Sequence, residues 1–194
     1  MARKSLLVIA VLLLLPGVAR ADWLFTPYGG MTFGKDAKDL EHFNWGGTVG
    51  WMGAGIVGAE LDFNHTPNFF QPKDSTDSTN TNLFGKNNVT SLMGNLIVGV
   101  PIGGQRGPGI RPYASAGLGL LKQNVPGTDE FLEVTRNDWG FNLGFGAHVF
   151  ASDHVGFRGD VRYLRSLQND EGTVNDFKAG NFDYWRWTVG VTFR

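Results

Sequence analysis

Residues 139 to 150 alternate strictly between apolar side chains and small or polar ones. The apolar positions are Trp139, Phe141, Leu143, Phe145, Ala147 and Val149. Glycine, asparagine and histidine occupy the positions between them. A repeat of two residues is typical of a β-strand, because successive side chains of a strand point to opposite faces. The alternation therefore predicts a strand with one apolar face and one small or polar face.

The same alternation recurs along the chain and predicts an all-β fold. It is seen in seven further segments, at 24–34, 44–53, 56–63, 90–100, 111–121, 155–163 and 185–193. The facing of the first segment is ambiguous around Tyr28, Gly29 and Gly30. Most segments are about ten residues long, and a tilted strand needs ~9–11 residues to cross a membrane. The sequence thus predicts eight antiparallel strands in an up-and-down transmembrane β-barrel.

The predicted connections between the strands fall into two classes of length. Short ones lie near 54–55 and 151–154, with a Gly/Pro-rich one near 101–110. Longer polar ones lie at 35–43, 65–88, 122–137 and 167–182, and the most polar stretch is 73–82. Short turns on one rim and long loops on the other are typical of outer-membrane barrels. We therefore expect both termini on the periplasmic side and the 73–82 segment in an external loop.

The first 21 residues have the layout of a secretory signal peptide. Arg3 and Lys4 form a basic start, an apolar run follows over 6–15, and the segment closes on Val18-Ala19-Arg20-Ala21. The apolar run is shorter than the ~20 residues of a membrane-spanning helix. We expect cleavage after Ala21, which leaves residues 22–194 as the barrel domain. An intact-mass measurement that found Met1 retained would contradict this expectation.

Composition excludes a nucleic-acid-binding protein and a small secreted protein held by disulfides. The signal segment holds three of the 17 basic residues and none of the 18 acidic ones, so the remaining chain is mildly acidic. A nucleic-acid partner would call for a clustered basic face, and none is present. The chain has no cysteine, which excludes a disulfide-stapled secreted module. Its 28 glycines suit bends and crowded interior positions of strands better than helices.

Alternation alone does not say which face of each strand points into the barrel. In a soluble barrel the apolar face points inward, whereas in an outer-membrane barrel it faces lipid and the lumen is polar. The export segment, the glycine-rich polar face and the aromatic residues at strand ends favour the second arrangement. The aromatic residues predicted to lie at the membrane interface are Trp23, Phe25, Trp139, Phe150, Trp185 and Phe193.

The face predicted to line the lumen carries charged residues on three strands. They are Glu60, Asp62, Arg158, Asp160, Arg162 and Arg186. An eight-stranded barrel is only just wide enough for its own side chains, and unpaired buried charges cost several kcal/mol each. We therefore expect a salt-bridge network that plugs the lumen. A narrow ion path through the same network is the alternative.

Two motifs resemble catalytic or cofactor-binding patterns but lack the context that such sites need. The G-x-G-x-x-G pattern at 53–58 precedes an alternating strand and not the helix that a dinucleotide site requires. Ser152, Asp153 and His154 are consecutive in a predicted turn, whereas a catalytic triad needs a chain of aligned hydrogen bonds. We predict no catalytic residue, no cofactor and no metal site, and hence no enzyme.

Several stretches resemble the OmpA-like, opacity-type family of outer-membrane barrels. Trp139-Gly-Phe-Asn-Leu-Gly-Phe-Gly-Ala-His-Val-Phe and the stretch from Asp153 to Tyr163 resemble its paired sixth and seventh strands. Gly58-Ala-Glu-Leu-Asp-Phe and Arg111-Pro-Tyr-Ala-Ser-Ala-Gly-Leu-Gly resemble its third and fifth strands. The resemblance spans roughly residues 22–194 and implies a location in the outer membrane of a Gram-negative-type bacterium.

Members of this family usually end on an aromatic residue, which the barrel assembly machinery recognises. Phe193 matches that residue, but Arg194 follows it in this chain. The family is functionally mixed, so the resemblance implies fold and location more strongly than activity.

The sequence therefore predicts an integral outer-membrane barrel with a structural or surface-interaction role. The expected partners are outer-membrane lipids, lipopolysaccharide, the assembly machinery and a surface partner that contacts the loops, with no nucleic acid. The first alternative is a narrow channel or a conduit for small hydrophobic molecules. The second is a soluble lipocalin-like barrel that binds a ligand inside.

Overall fold

The computed structural model describes residues 21–34, 42–67, 69, 88–103, 107–126, 133–167 and 182–194. These residues form eight β-strands: β1 (Ala21–Phe33), β2 (His42–Gly53), β3 (Val57–Pro67), β4 (Asn88–Gly99), β5 (Gly109–Pro126), β6 (Glu133–Phe150), β7 (Val155–Ser166) and β8 (Asp183–Phe193). Within this part of the chain, no helix is long and apolar enough to cross a membrane.

The eight strands form one closed antiparallel barrel in which each strand pairs with its neighbours in sequence and β8 pairs with β1. Trp23 on β1 lies opposite Trp51 on β2. Stepping from pair to pair around the barrel returns to β1 at Phe33, ten residues beyond Trp23. This stagger makes the strands tilt against the barrel axis. The predicted eight-stranded up-and-down barrel is confirmed.

The connections at one rim of the barrel are shorter on average than those at the other, although the lengths overlap. The short-turn rim carries the connections 54–56, 100–108 and 151–154, the start of β1 and the end of β8. The long-loop rim carries the connections 34–41, 68–87, 127–132 and 167–182. The predicted external segment 73–82 and residues 1–20 of the predicted signal segment lie outside the described residues.

The hairpin of β5 and β6 is longer than the alternation predicts. The sequence indicates a loop over 122–137, but the ladder continues through Lys122 opposite Asn137 and ends at Pro126 opposite Glu133. The reason is that alternation marks a strand only where one face is apolar. Here Lys122, Asn124 and Asn137 are polar, so the strand extension has the composition of a loop.

The apolar faces of the strands point outward and the small or polar faces point into the lumen. On β6 the apolar residues Leu143 and Phe145 are exposed, whereas Asn142 and His148, which belong to the alternate positions of the strand, are buried. The ambiguity in the first strand is resolved as well. Tyr28 points into the lumen, and the flanking Pro27 and Gly29 belong to the outer face.

Candidate functional site in the barrel lumen

The six charged residues predicted to line the lumen lie together at its centre. Each is at most 5% exposed. They come from β3, β7 and β8: Glu60, Asp62, Arg158, Asp160, Arg162 and Arg186. Three are carboxylates and three are guanidiniums, so the group, here called the charge layer, has no net formal charge. Two arginines lie on the strand opposite the glutamate, because β3 and β7 face each other across the lumen of an eight-stranded barrel.

Glu60 receives hydrogen bonds from two arginines of β7. Arg162 donates from Nη2 to Oε1 of Glu60 at 2.7 Å, and Arg158 donates from Nη1 to Oε2. Asn95 on β4 adds a longer bond from Nδ2 to Oε1 at 3.3 Å. Charge-assisted bonds of this kind are about twice as strong as neutral ones. They tie β3 to β7 directly across the lumen.

Asp62 lies two residues further along β3 and contacts side chains of three other strands. Its Oδ2 accepts from Nη1 of Arg162 at 2.9 Å and from Nη2 of Arg186. Its Oδ1 accepts from the hydroxyl of Tyr28 on β1 at 2.5 Å. The Arg186 guanidinium also lies over the Tyr28 ring, 5.4 Å from its centroid. Asp62 thereby connects β3 with β1, β7 and β8.

Asp160 completes the charge layer on β7. It accepts from Nε of Arg162 at 2.7 Å and from Nη2 of Arg158 at 3.3 Å. The hydroxyl of Tyr113 on β5 donates to Oδ2 of Asp160 at 2.6 Å and accepts from Nε of Arg158 at 2.7 Å. Every carboxylate of the layer is therefore paired with at least two donors, as buried charges require.

Two apolar clusters enclose the charge layer along the barrel axis. The cluster toward the short-turn rim contains Leu24, Met52, Ile97, Tyr113 and Phe150. The cluster toward the long-loop rim contains Phe69, Val89, Met93, Leu121, Leu164, Phe182 and Tyr184. Buried polar side chains share the lumen with these clusters, among them Thr26 and Thr192 toward the short-turn rim and Asn44 and Asn64 toward the long-loop rim.

Phe150 was predicted at the membrane interface, and this prediction is wrong. Val149 belongs to the outward apolar face of β6, so the next residue must point inward. The Phe150 side chain is 5% exposed and stacks on the His148 ring with centroids 5.8 Å apart. The guanidiniums of Arg111 and Arg194 lie 5.3 and 4.3 Å from its ring centroid. The Phe150 side chain therefore lies inside the lumen near the short-turn rim.

The structure places the other five predicted aromatics on the outer face, where they are 40–67% exposed. Trp23, Phe25 and Phe193 lie near the short-turn rim, and Trp139 and Trp185 lie near the long-loop rim. Side chains with an apolar body and, in tryptophan, a polar N–H suit the boundary between lipid and water. Their assignment to the membrane interface remains our proposal.

Arg194, which follows the terminal aromatic, is held against the short-turn rim. Its backbone N–H donates to the carbonyl of His154 at 2.9 Å, and its Nε donates to the carbonyl of Asp153 at 2.9 Å. Its Nη1 donates to Oδ2 of Asp22 at 3.3 Å. The residue that departs from the family pattern thus connects the ends of β1 and β8 with the turn between β6 and β7.

Sequence reasoning missed the two tyrosines that contact the charge layer. Tyr28 and Tyr113 each bridge a carboxylate and an arginine. The signal for Tyr113 was present, because it shares its face of β5 with Arg111 and Ser115, which are also buried. Within the described ranges, no group of three or more histidine, cysteine, aspartate or glutamate residues could hold a metal ion.

An outward apolar face, a charged lumen and short turns on one rim define an integral outer-membrane β-barrel. The family model for the outer membrane protein beta-barrel domain matches residues 7–194, and this chain belongs to that family. The protein therefore resides in the outer membrane of a Gram-negative-type cell. The alternative of a soluble lipocalin-like barrel is wrong, because the apolar side chains face outward and the charged ones inward. No curated protein sequence matches the chain.

Solved barrels show the same fold at low sequence identity. The N-terminal barrel domain of Pseudomonas aeruginosa OprF is 18% identical with a TM-score of 0.59, covering 89% of this chain and 96% of that one. Neisserial surface protein A is 16% identical with a TM-score of 0.61, covering 90% and 98%. OprH of P. aeruginosa is 13% identical with a TM-score of 0.52, covering 89% and 99%. At these identities the likeness concerns the fold alone.

Proposed function

We propose that this chain is a non-enzymatic outer-membrane barrel with a plugged lumen, which serves envelope structure or surface interaction. The observation that carries the proposal is the neutral charge layer between two apolar clusters. An ion that crossed the lumen would have to pass between buried side chains and separate the ion pairs of the charge layer. Breaking a buried ion pair by removing one partner costs ~3–5 kcal/mol. Side chains that fill the interior leave a closed barrel and not a pore.

The experiment that tests the plug is single-channel recording in planar lipid bilayers. We expect the purified barrel to insert without discrete conductance steps across a range of voltages. A general porin in the same bilayers shows that insertion and recording work. Reproducible openings of the wild-type barrel would contradict the plug and support the channel.

A narrow channel is the second candidate, and Arg186 favours it. Its guanidinium is held by Asp62, but Nε and Nη1 are buried with no acceptor among the described residues. Buried donors of this kind are usually satisfied by ordered water. Water beside Arg186 would provide a polar route along one side of the charge layer. The same recordings decide between the two candidates.

A filled lumen leaves the rims and the outer wall as the places where a partner binds. The chain contacts outer-membrane lipids by virtue of its location, and we propose lipopolysaccharide and the barrel assembly machinery as further partners. The long connections, most of which lie outside the described residues, are the proposed contact with a surface partner. Deletion of residues 73–82 tests this role. It should leave the barrel folded and change surface binding or the detergent sensitivity of the cell, and a deletion without either effect counts against it.

A further inference from the structure

The outer wall of the barrel has a groove where small side chains interrupt its apolar surface. The groove has a volume of about 1000 Å³ and lies on the wall formed by β1 to β6. Its floor contains Ala59 on β3, Gly94 on β4 and Ala116 on β5, which all face outward. The nearest atom to a Cβ at Gly94 would be the carbonyl oxygen of Leu118 at 3.8 Å, an ordinary contact. The floor of the groove is therefore open toward the membrane.

Leucines border the floor of the groove on each of its three strands. In the ladder, Leu96 lies between Ala59 and Ala116, and Gly94 lies between two further leucines in the next row. The three leucines are 53–69% exposed, so they stand out from the wall where the small residues leave gaps. Apart from two tryptophans at one end, every outward-facing side chain of the lining is a hydrocarbon. The groove thus offers its occupant dispersion contacts along most of its length.

The two tryptophans mark the lower end of the groove. Trp23 and Trp51 lie opposite each other on β1 and β2, each two residues from the end of its strand at the short-turn rim. From there the row of paired residues continues over the floor to Leu143, near the middle of the apolar band on β6. Because the strands are tilted, this row climbs from the membrane surface into the hydrocarbon. The short-turn rim is periplasmic in outer-membrane barrels, so the groove opens at the periplasmic surface.

We propose that the groove binds one acyl chain of a phospholipid from the periplasmic leaflet, with the ester and phosphate groups beside Trp23 and Trp51. An indole has an apolar body and one N–H donor, which suits these oxygens at the membrane surface. The groove is continuous with the apolar wall that faces lipid in this outer-membrane family. A flexible acyl chain follows a groove that curves around six strands, whereas the convex wall of a second copy meets it along a narrow strip only. Contacts with the floor and with leucines on both sides distinguish the bound chain from the surrounding lipid.

This inference goes beyond the proposed function, since it rests on the outer wall and not on the plugged lumen. The test reconstitutes the protein with palmitoyl-oleoyl phosphatidylethanolamine, and native mass spectrometry counts the phospholipids retained after transfer to detergent. We expect wild type to saturate at one retained phospholipid per barrel. Ala116→Phe fills the floor with a ring and should weaken retention about tenfold, the loss of roughly ten carbon–carbon contacts. Gly94→Leu fills the floor at a second position and should weaken retention in the same way.

Ala147→Phe is the matched control, because it places the same ring on the outer face of β6 outside the groove. Equal retention by wild type and Ala116→Phe would overturn the site, and so would an equal loss in Ala147→Phe, which would show general contact with lipid. Wild-type dimers that Ala116→Phe abolishes would assign the groove to a second copy and contradict the proposal. Heat-dependent gel mobility checks folding, and Gly94→Leu decides if Ala116→Phe does not fold. Conductance of the same samples tests the plug separately.

Discussion

Arg158 shows how much of the lumen depends on single side chains. It donates to Glu60 and Asp160, to the Thr48 hydroxyl at 2.9 Å and to the Tyr113 hydroxyl at 2.7 Å. Its guanidinium also lies over the Tyr113 ring, 5.0 Å from the centroid. One residue of β7 thereby reaches β2, β3 and β5. Because Arg158 is buried, its loss would leave these partners without a ready replacement from bulk solvent.

Arg158→Gln should therefore lower the free energy of unfolding by about 3–5 kcal/mol, the usual cost of leaving a buried charge without its partner. Urea unfolding in lipid vesicles, followed by tryptophan fluorescence, measures it. Arg186→Gln is the comparison, since it removes a single ion pair and two donors without acceptors, and its loss should be smaller. Unchanged stability of Arg158→Gln would count against the salt-bridge network.

At the residue scale, the charged set could be predicted because each member falls on the small or polar side of an alternating strand. The same rule places Phe150 inside, next to the outward Val149, so an aromatic residue at a strand end is not by itself an interface residue. The inward position of Tyr28 could not be predicted in this way, because Pro27, Gly29 and Gly30 interrupt the alternation. The pairing partners depend on strand stagger, which no single segment encodes.

The strands themselves depend on glycine where neighbouring backbones and side chains crowd the interior. Gly30 faces the lumen on β1, beside the β8 strand that closes the barrel. A Cβ at Gly30 would run into the carbonyl oxygen of Trp187 and lie 2.8 Å from Cα of Thr188. At the adjacent Gly29, which faces outward, the nearest atom belongs to the Phe43 ring at 3.6 Å. A Cβ therefore has room at Gly29 but clashes with the backbone of β8 at Gly30.

Gly30→Ala should strain the β1–β8 pairing and destabilise the barrel by about 1–3 kcal/mol, as overpacking does. Gly29→Ala should be close to neutral, because 3.6 Å is an ordinary contact. Refolding into detergent micelles, scored by the heat-dependent shift in gel mobility, compares the two variants side by side. If Gly30→Ala refolds and resists unfolding as well as Gly29→Ala does, the close approach of Gly30 to β8 does not limit the stability of the barrel.

At the scale of elements, the number and order of strands could be predicted and the length of the β5–β6 hairpin could not. A strand inside the membrane has one lipid-facing side, and that side must be apolar. At Lys122 the outward side is polar as well, so the residues from Lys122 to Asn124 carry no alternation even though they remain paired. Backbone pairing defines the strand there, and the hydropathy of the side chains does not reveal it.

For the molecule as a whole, the outer wall defines the depth of the membrane. On β6 the outward residues from Trp139 to Val149 are all apolar and span ten positions. At ~3.4 Å per residue and a tilt of ~45°, this corresponds to about 25 Å, the usual height of the apolar band. The alternation alone left open which face meets lipid. Closure of the barrel and burial of the charges settle that question, since both require all eight strands together.

This depth assignment predicts how the cost of a charge varies along one strand. Val155 and Val161 both face outward on β7, Val155 at its start beside the short turn and Val161 near the middle of the band. Val161→Arg should lower stability by about 2–4 kcal/mol, because its guanidinium sits in hydrocarbon, and Val155→Arg by about 0–1 kcal/mol, because it reaches the interface. Reversible unfolding in vesicles measures both. In detergent micelles, which adapt around a charge, the two variants should converge. Equal losses of stability in vesicles would contradict the assignment of Val161 to the middle of the apolar band and Val155 to its edge.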